Sequence, residues 1–244
     1  MPHCELKWEM SVYKQAKSAE QAVENIKESN LRIGTAVTFS SITAAAASRF
    51  EDLSPHVKLS IRNGPSHQIV DGLLDMQYDI AVVVASNYRT SKLRVIRVAD
   101  CEEIVLVASP SNPIFSIAEL KLAELCRYPL LLPPRESATR EILLESLGAE
   151  EEMIRPFILV ETDYLACAKR LAEEGKGIAL THITNVEREI AQGKLRIIPL
   201  PSNIKIGADI LIHREVPLPP IGERFISLVE EAFKVHHSHQ AIGG

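Results

Sequence analysis

The sequence predicts an α/β protein of two lobes, and three observations carry that prediction. Short apolar strands alternate with helix-periodic segments from Leu31 to Phe233, the pattern of parallel sheets covered by helices on both faces. A run of turn residues, Ser109-Pro110-Ser111-Asn112-Pro113, interrupts the alternation, which then begins afresh. The chain closes with one unpaired strand–helix unit, expected to return to the first lobe. The expected division is a helical segment over 1–30, lobe I over 31–109 plus 207–235, lobe II over 110–206, and a flexible tail over 236–244.

Each element follows from its local pattern. The first thirty residues are polar and rich in helix formers. Within them Val12, Ala16, Ala19, Val23 and Ile26 form a heptad seam of only two repeats, suited to packing on its own domain or pairing with another chain. A strand starts at Leu31. Ile42, Ala46, Phe50 and Leu53 then mark one helix face, stopped near Ser54-Pro55. "VKLSI" (57–61) is a strand turned by Asn63-Gly64-Pro65, and a helix follows with Ile69, Leu73 and Met76 inward. "DIAVVV" (79–84) is a continuous apolar strand of the buried kind, and "EEIVLVAS" (102–109) is another strand.

The second run holds a helix at 116–125, strand "PLLLP" (129–133), a helix from Ala138 to Leu147 closed by Gly148, and strand "FILVE" (157–161). A helix from Tyr164 to Glu173 ends at Gly175, followed by "GIAL" (177–180), a helix near Asn185 to Ala191, and "LRIIPL" (195–200). "ADILIH" (208–213) and a helix from Glu223 to Phe233 complete the chain.

Composition narrows the function. At 244 residues, with 46% hydrophobic and 24% charged side chains, the chain reads as an ordinary globular protein. A net charge of −5 argues against a nucleic-acid surface, which needs clustered Lys and Arg. The longest apolar run, Ile80 to Ala85, is far short of a membrane span, and residues 1–15 lack a signal peptide's apolar core. A cytoplasmic protein with no membrane partner is expected. Cys4, Cys101, Cys126 and Cys167 form no CxxC pair and no metal-ligand spacing with histidine, so they read as reduced thiols. His236, His237 and His239 read as a polar terminus, and no metal is expected. GxSxG, HExxH, GxGxxG and P-loop motifs are all missing, so no catalytic residue and no cofactor are expected. Gly175-Lys176-Gly177 reads as a helix stop, and Asp75, Asp79 and Asp163 as surface or capping carboxylates.

Ligands of open α/β sheets sit beyond the carboxyl ends of strands, where helices begin. Three such junctions carry hydroxyls. "LRIGTAVTFSSI" (31–42) places Thr35, Thr38, Ser40 and Ser41 between a strand and a helix. Unsatisfied N–H groups at a helix start favour anions and carboxylates, and one Ser or Thr suffices for capping, so several hydroxyls suggest a ligand. "PPRESATREILLESLG" (133–148) sets Arg135, Ser137, Thr139 and Arg140 around a second helix start. Either arginine suits a carboxylate or oxyanion, or forms a solvated pair with a neighbour such as Glu145. "ETDYL" (161–165) is the third junction, where Thr162 or Asp163 caps. The candidate ligand-binding set is Thr38, Ser40, Ser41, Arg135, Ser137, Thr139 and Thr162, with Arg135 the counter-charge for a small anionic metabolite.

The stretch "NLRIGTAVTFSSITAAAASRFEDLSPHVKLSIRNGPSHQIVDGLLDMQYDIAVVV" resembles the effector-binding domain of LysR-type transcriptional regulators. It carries an LRIG-like strand, a Phe-x-x-x-x-Pro-x-Val stretch, a glycine turn, and Leu-x-x-x-x-x-Asp-Ile-Ala. Ser137-Ala138-Thr139-Arg140 and "RLAEEGKGIAL" extend the likeness across lobe II, so that it runs from about Ala19 to Phe233.

The resemblance implies two Rossmann-like lobes of the type 2 periplasmic-binding-protein kind, with a small-molecule coinducer cleft between them. It implies that residues 12–29 end an N-terminal linker helix that pairs subunits, giving a homodimer or tetramer. The family's pocket hydroxyls carry over to Thr38, Ser40, Thr162 and the Ser137–Thr139 helix start. Ala36 and Val37 replace polar residues of some members. The family's winged helix-turn-helix has no counterpart upstream of residue 12. DNA binding is therefore expected only through a domain absent from this chain.

The leading expectation is a ligand-sensing, dimerising regulatory domain that is not an enzyme. A solute-binding protein for transport shares the architecture, but the missing signal sequence counts against it. An enzyme on the same scaffold, such as a dehydratase or deaminase, would need a general acid or a cofactor-bearing cysteine in the cleft, and none is placed there by the sequence.

Overall fold

A computed structural model describes residues 30–86, 91–117, 121–200 and 204–240. The segment expected to be a linker helix therefore lies outside the described residues, apart from Asn30. The strands are β1 (Asn30–Ala36), β2 (Lys58–Gly64), β3 (Ile80–Val84), β4 (Leu93–Ala108), β5 (Leu130–Leu132), β6 (Ile158–Glu161), β7 (Ile178–His182), β8 (Arg196–Ile198) and β9 (Ile204–His213). The helices are α1 (Ser40–Leu53), α2 (Ser66–Leu74), α3 (Leu122–Leu125), α4 (Ala138–Ser146), α5 (Glu151–Ile154), α6 (Leu165–Glu173), α7 (Glu187–Ala191) and α8 (Pro220–Gln240).

The strands join in the order β2-β1-β3-β9-β4-β7-β5-β6, with β8 beside β4. Pairing is parallel within β2-β1-β3 and within β7-β5-β6. β9 and β4 run antiparallel to their neighbours, so the sheet is mixed where the sequence predicted parallel. These two long strands join the lobes. The last strand and helix do pack with the first lobe: β9 beside β3, and α8 against α1 through edge-to-face rings, Phe39 with Phe233 and Phe50 with Phe225, at 5.4 and 5.5 Å.

Burial explains the apolar runs. In β3, Ile80 and Val82 face the core under α1 and α8, while Ala81 and Val83 face the one under α2, with Ile69, Val70 and Leu73. In lobe II, Ala168 and Ala172 of α6 pack on Val105, Val107, Leu131 and Ala179. A strand covered on both faces has no polar side to show. Gly34 fits its motif because a Cβ there would lie 2.7 Å from the Tyr78 ring and 2.8 Å from Ile69. The ring occupies the gap between β1 and α2.

The expected lobe boundary at 109–110 is corrected. β4 pairs with β9 from Leu93↔His213 to Val98↔Ala208, is interrupted by a bulge, and resumes at Glu102↔Ile206. From Ile104 it also joins β7. "EEIVLVAS" thus lies in the lobe II sheet, and the chain crosses at the bulge, because one continuous strand serves both lobes. The strand Leu93–Val98 escaped the sequence reading because Arg94 and Arg97 break its apolar pattern. Arg97 is held across the sheet by buried Asp209, which accepts from its Nε and Nη2 at 2.8 Å each.

The helix expected at 116–125 is a 3₁₀ turn over Pro113–Ser116 and the single turn of α3. Asn112 Oδ1 caps the first by accepting from Ile114 N at 2.9 Å, and Pro113 starts it. The tail expected from 236 is corrected in part: α8 stays helical through Gln240.

Candidate functional site

The ends of β1, β3, β5 and β7 open on a cleft of about 750 Å³ between the lobes. Ala36, Val37 and Thr38 line one wall, with the β2-to-α2 junction Gly64–Gln68 and Val84–Ser86. The opposite wall includes Pro133, Pro134, the exposed face of α4, Thr162, Asp163 and the Leu180–His182 strand end.

The hydroxyls of the opening motif divide among different tasks. Thr35 Oγ1 bonds Thr43 Oγ1 at 2.8 Å, tying β1 to α1. Ser40 Oγ donates to Val37 O at 2.6 Å and accepts from Asn63 Nδ2 at 2.9 Å, so it is occupied outside the cleft lining. Ser41 Oγ donates to Asn185 Oδ1 at 2.7 Å and is likewise not part of the lining. None of them caps α1, whose cap position is Phe39 and carries no side-chain bond. Thr38 alone of this group faces the cleft.

The other junctions contribute Ser137, Thr139 and Thr162. Ser137 occupies the cap position of α4 without capping it, which leaves its hydroxyl for another partner. Thr139 Oγ1 lies 3.1 Å from His182 Nε2. Burial pushes the His182 imidazole down to about 3, so it stays neutral. Thr162 Oγ1 accepts from Tyr164 N at 3.0 Å, a local turn bond that leaves its own proton free to donate. Four of the seven candidates, Thr38, Ser137, Thr139 and Thr162, thus share one cleft.

Arg135 does not join them. It is exposed, 3.6 Å from Glu152, and does not line the cleft. Arg140 is buried and structural: it donates to Glu161 Oε2 at 2.6 Å and Pro133 O at 2.9 Å, and its Nη2 pairs closely with Glu151. The strand end, the helix and the α5 turn are held together by one guanidinium, so Arg140 is occupied within lobe II. Asp79 is also structural, accepting from Arg32 N at 2.8 Å and from its Nη2 at 2.7 Å. That pair links the LRIG and Asp-Ile-Ala motifs.

Sequence reading missed two residues. Asn185 follows β7 and reaches lobe I, where its Nδ2 donates to Thr38 O at 3.1 Å. Thr181 lines the cleft, and its buried Oγ1 has no hydrogen-bond partner among the described residues. No motif marks either. Behind the cleft, Glu102 sits buried just past the β4 bulge and accepts from Thr184 Oγ1 at 2.5 Å. Burial, opposed by the Thr184 hydrogen bonds, pushes its carboxyl up to about 7.

A cleft at the strand ends between two facing α/β lobes is where such sheets hold small molecules. The chain belongs to the LysR substrate binding domain family, which matches residues 26–234. It is 23% identical over 218 residues to the HTH-type transcriptional regulator CbbR of Xanthobacter flavus, covering 88% of this chain and 65% of that protein. It is 27% identical over 224 residues to the uncharacterized HTH-type transcriptional regulator YeiE of Escherichia coli, covering 87% and 73%. The chain thus spans just under two thirds of CbbR.

Among solved structures, the effector binding domain of QuiR in complex with shikimate superposes with a TM-score of 0.65 at 14% identity, covering 85% of this chain and 98% of that one. Corynebacterium glutamicum OxyR, as a C206 mutant, gives 0.67 at 16%, covering 94% and 73%. At such identities these establish the fold, of the type 2 periplasmic-binding-protein kind.

Proposed function

We propose that the chain is the ligand-sensing regulatory part of a LysR-type transcriptional regulator, holding a small polar effector in the interlobe cleft. The carrying observation is that Thr38 and Ser137, one from each lobe, line the same cleft, and neither hydroxyl has a hydrogen bond to protein among the described residues. Thr139 and Thr162 extend the polar wall. The regulator's DNA contact belongs to another part of the whole protein, and its subunits associate as a dimer or tetramer. The same reading makes the domain cytoplasmic and non-enzymatic, and its support is that the matched relatives are HTH-type transcriptional regulators.

The effector acts by bridging the walls. Lobes joined by β4 and β9 change their relative angle through those strands, and a ligand that touches both favours one angle. A thermal-shift screen of small polar metabolites, followed by calorimetry on Thr38→Val and Ser137→Ala, tests this. Each variant should bind the hit about three- to tenfold more weakly, the worth of one neutral hydrogen bond. Wild-type affinity in both would move the ligand out of this cleft.

A further inference from the structure

Among the described residues that line the cleft, charge is one-sided. Four carboxylates line it, Glu136, Glu141, Glu145 and Asp163, all from lobe II, and no described Lys or Arg does. Glu141 and Glu145 lie one turn apart on the exposed face of α4, a like-charge pair that disfavours an isolated helix. The described lobe I residues that line the cleft include no Asp, Glu, Lys or Arg. Carboxylates on a surface helix are ordinarily just solvated, so the cluster alone says little. A second observation comes from the wall behind it. Thr181 is 3% exposed, lines the same cleft, and its Oγ1 has no partner among the described residues. A buried hydroxyl is costly to leave unpaired, and the space it adjoins is the space a ligand would fill.

We infer that the effector is an amine or a neutral polyol rather than a carboxylate or phosphate, with its donor groups turned to the lobe II wall and one polar atom on Thr181. This rests on the reading of the cleft as the effector site. An anionic effector would approach four like charges, with both neighbouring arginines committed to glutamates. An ammonium group meets carboxylates, and neutral His182 adds no repulsion.

The test uses matched four- to six-carbon diamines, amino alcohols, diols and dicarboxylates, titrated by calorimetry against the whole chain. Amines or diols should bind at least tenfold more tightly than the dicarboxylate of the same length. Amine affinity should fall with added salt. Glu141→Gln with Glu145→Gln should weaken amines about three- to tenfold, the worth of two exposed ion pairs, and leave diols unchanged. Thr181→Val should weaken the best binder about three- to tenfold without lowering thermal stability, because the lost hydroxyl bonded nothing in the protein. Preferred binding of dicarboxylates would overturn the inference and leave the sensor reading standing. Failure of the whole panel to bind would count against both.

Discussion

The Ser41 hydroxyl donates to Asn185 Oδ1 at 2.7 Å, and Asn185 Nδ2 donates at 3.1 Å to Thr38 O, so one side chain of lobe II clasps the start of α1 in lobe I. The amide orientation follows from chemistry. Thr38 O can only accept, so the NH₂ group must face it. Asn185 is itself held, its backbone carbonyl accepting from Lys169 Nζ at 2.8 Å.

The clasp should therefore be measurable as a coupling. Ser41→Ala and Asn185→Ala should each destabilise the domain by about 1–3 kcal/mol, with Asn185→Ala the worse because it strands two partners. Their double-mutant cycle in urea should give a coupling of about 0.5–1.5 kcal/mol. Additive effects would mean that the two side chains do not meet in solution.

The two arginines of the lobe II junction should behave oppositely. Arg140→Ala leaves Glu151 and Glu161 without their cation and should cost about 3–5 kcal/mol, as breaking a buried pair does. Arg135→Ala removes an exposed pair and should change the melting free energy by no more than about 0.5 kcal/mol. Equal losses on denaturant unfolding would contradict the burial assigned to Arg140.

Glu102 and His182 should shape the pH profile. The Glu102 carboxyl is raised from an ordinary 4.5 to about 7, so the folded state holds its proton more tightly than the unfolded chain does. Its contribution is full below about 4.5 and is lost as pH rises through about 7. His182 is lowered from 6.5 to about 3, so its contribution is present above 6.5 and fades as pH falls towards 3. Between about 4.5 and 6.5 the two slopes oppose each other. Glu102→Gln keeps an acceptor for Thr184 and should raise stability at pH 8 by on the order of 1–3 kcal/mol. It should also expose a decline on acidification below about 6.5. An unchanged profile from pH 5 to 8 would show that Glu102 ionises normally.

Gly34→Ala should destabilise by about 1–3 kcal/mol, because its methyl would enter the space of the Tyr78 ring. Adding Tyr78→Leu should recover part of the loss. Thermal unfolding of the pair checks this, and a neutral single substitution would mean that the ring moves aside freely.

How much of this was legible in advance depends on the range of the forces involved. The strand–helix alternation, the helix stop at Gly175 and the buried character of β3 follow from near-neighbour periodicity and backbone preference, which a sequence displays directly. The turn expected at 63–65 does not form, because Asn63 and Gly64 continue β2 by pairing with Thr35 and Ala36. That Thr38, Ser137, Thr139 and Thr162 line one cleft was also legible locally, because all four sit at strand-to-helix junctions. Partners far apart in the chain decided the rest. Ser41 and Arg135 look like ligand residues beside their neighbours, yet one is taken by Asn185 and the other faces Glu152 outside the cleft. Arg140 is structural only because Glu151 and Glu161 close on it, and β4 serves both lobes because β9 and β7 pair with its two halves. Local pattern determined the elements and where a ligand could sit. Only tertiary packing settled which polar groups remain free to hold one, because a hydrogen-bond donor spent on the protein is no longer available to a ligand.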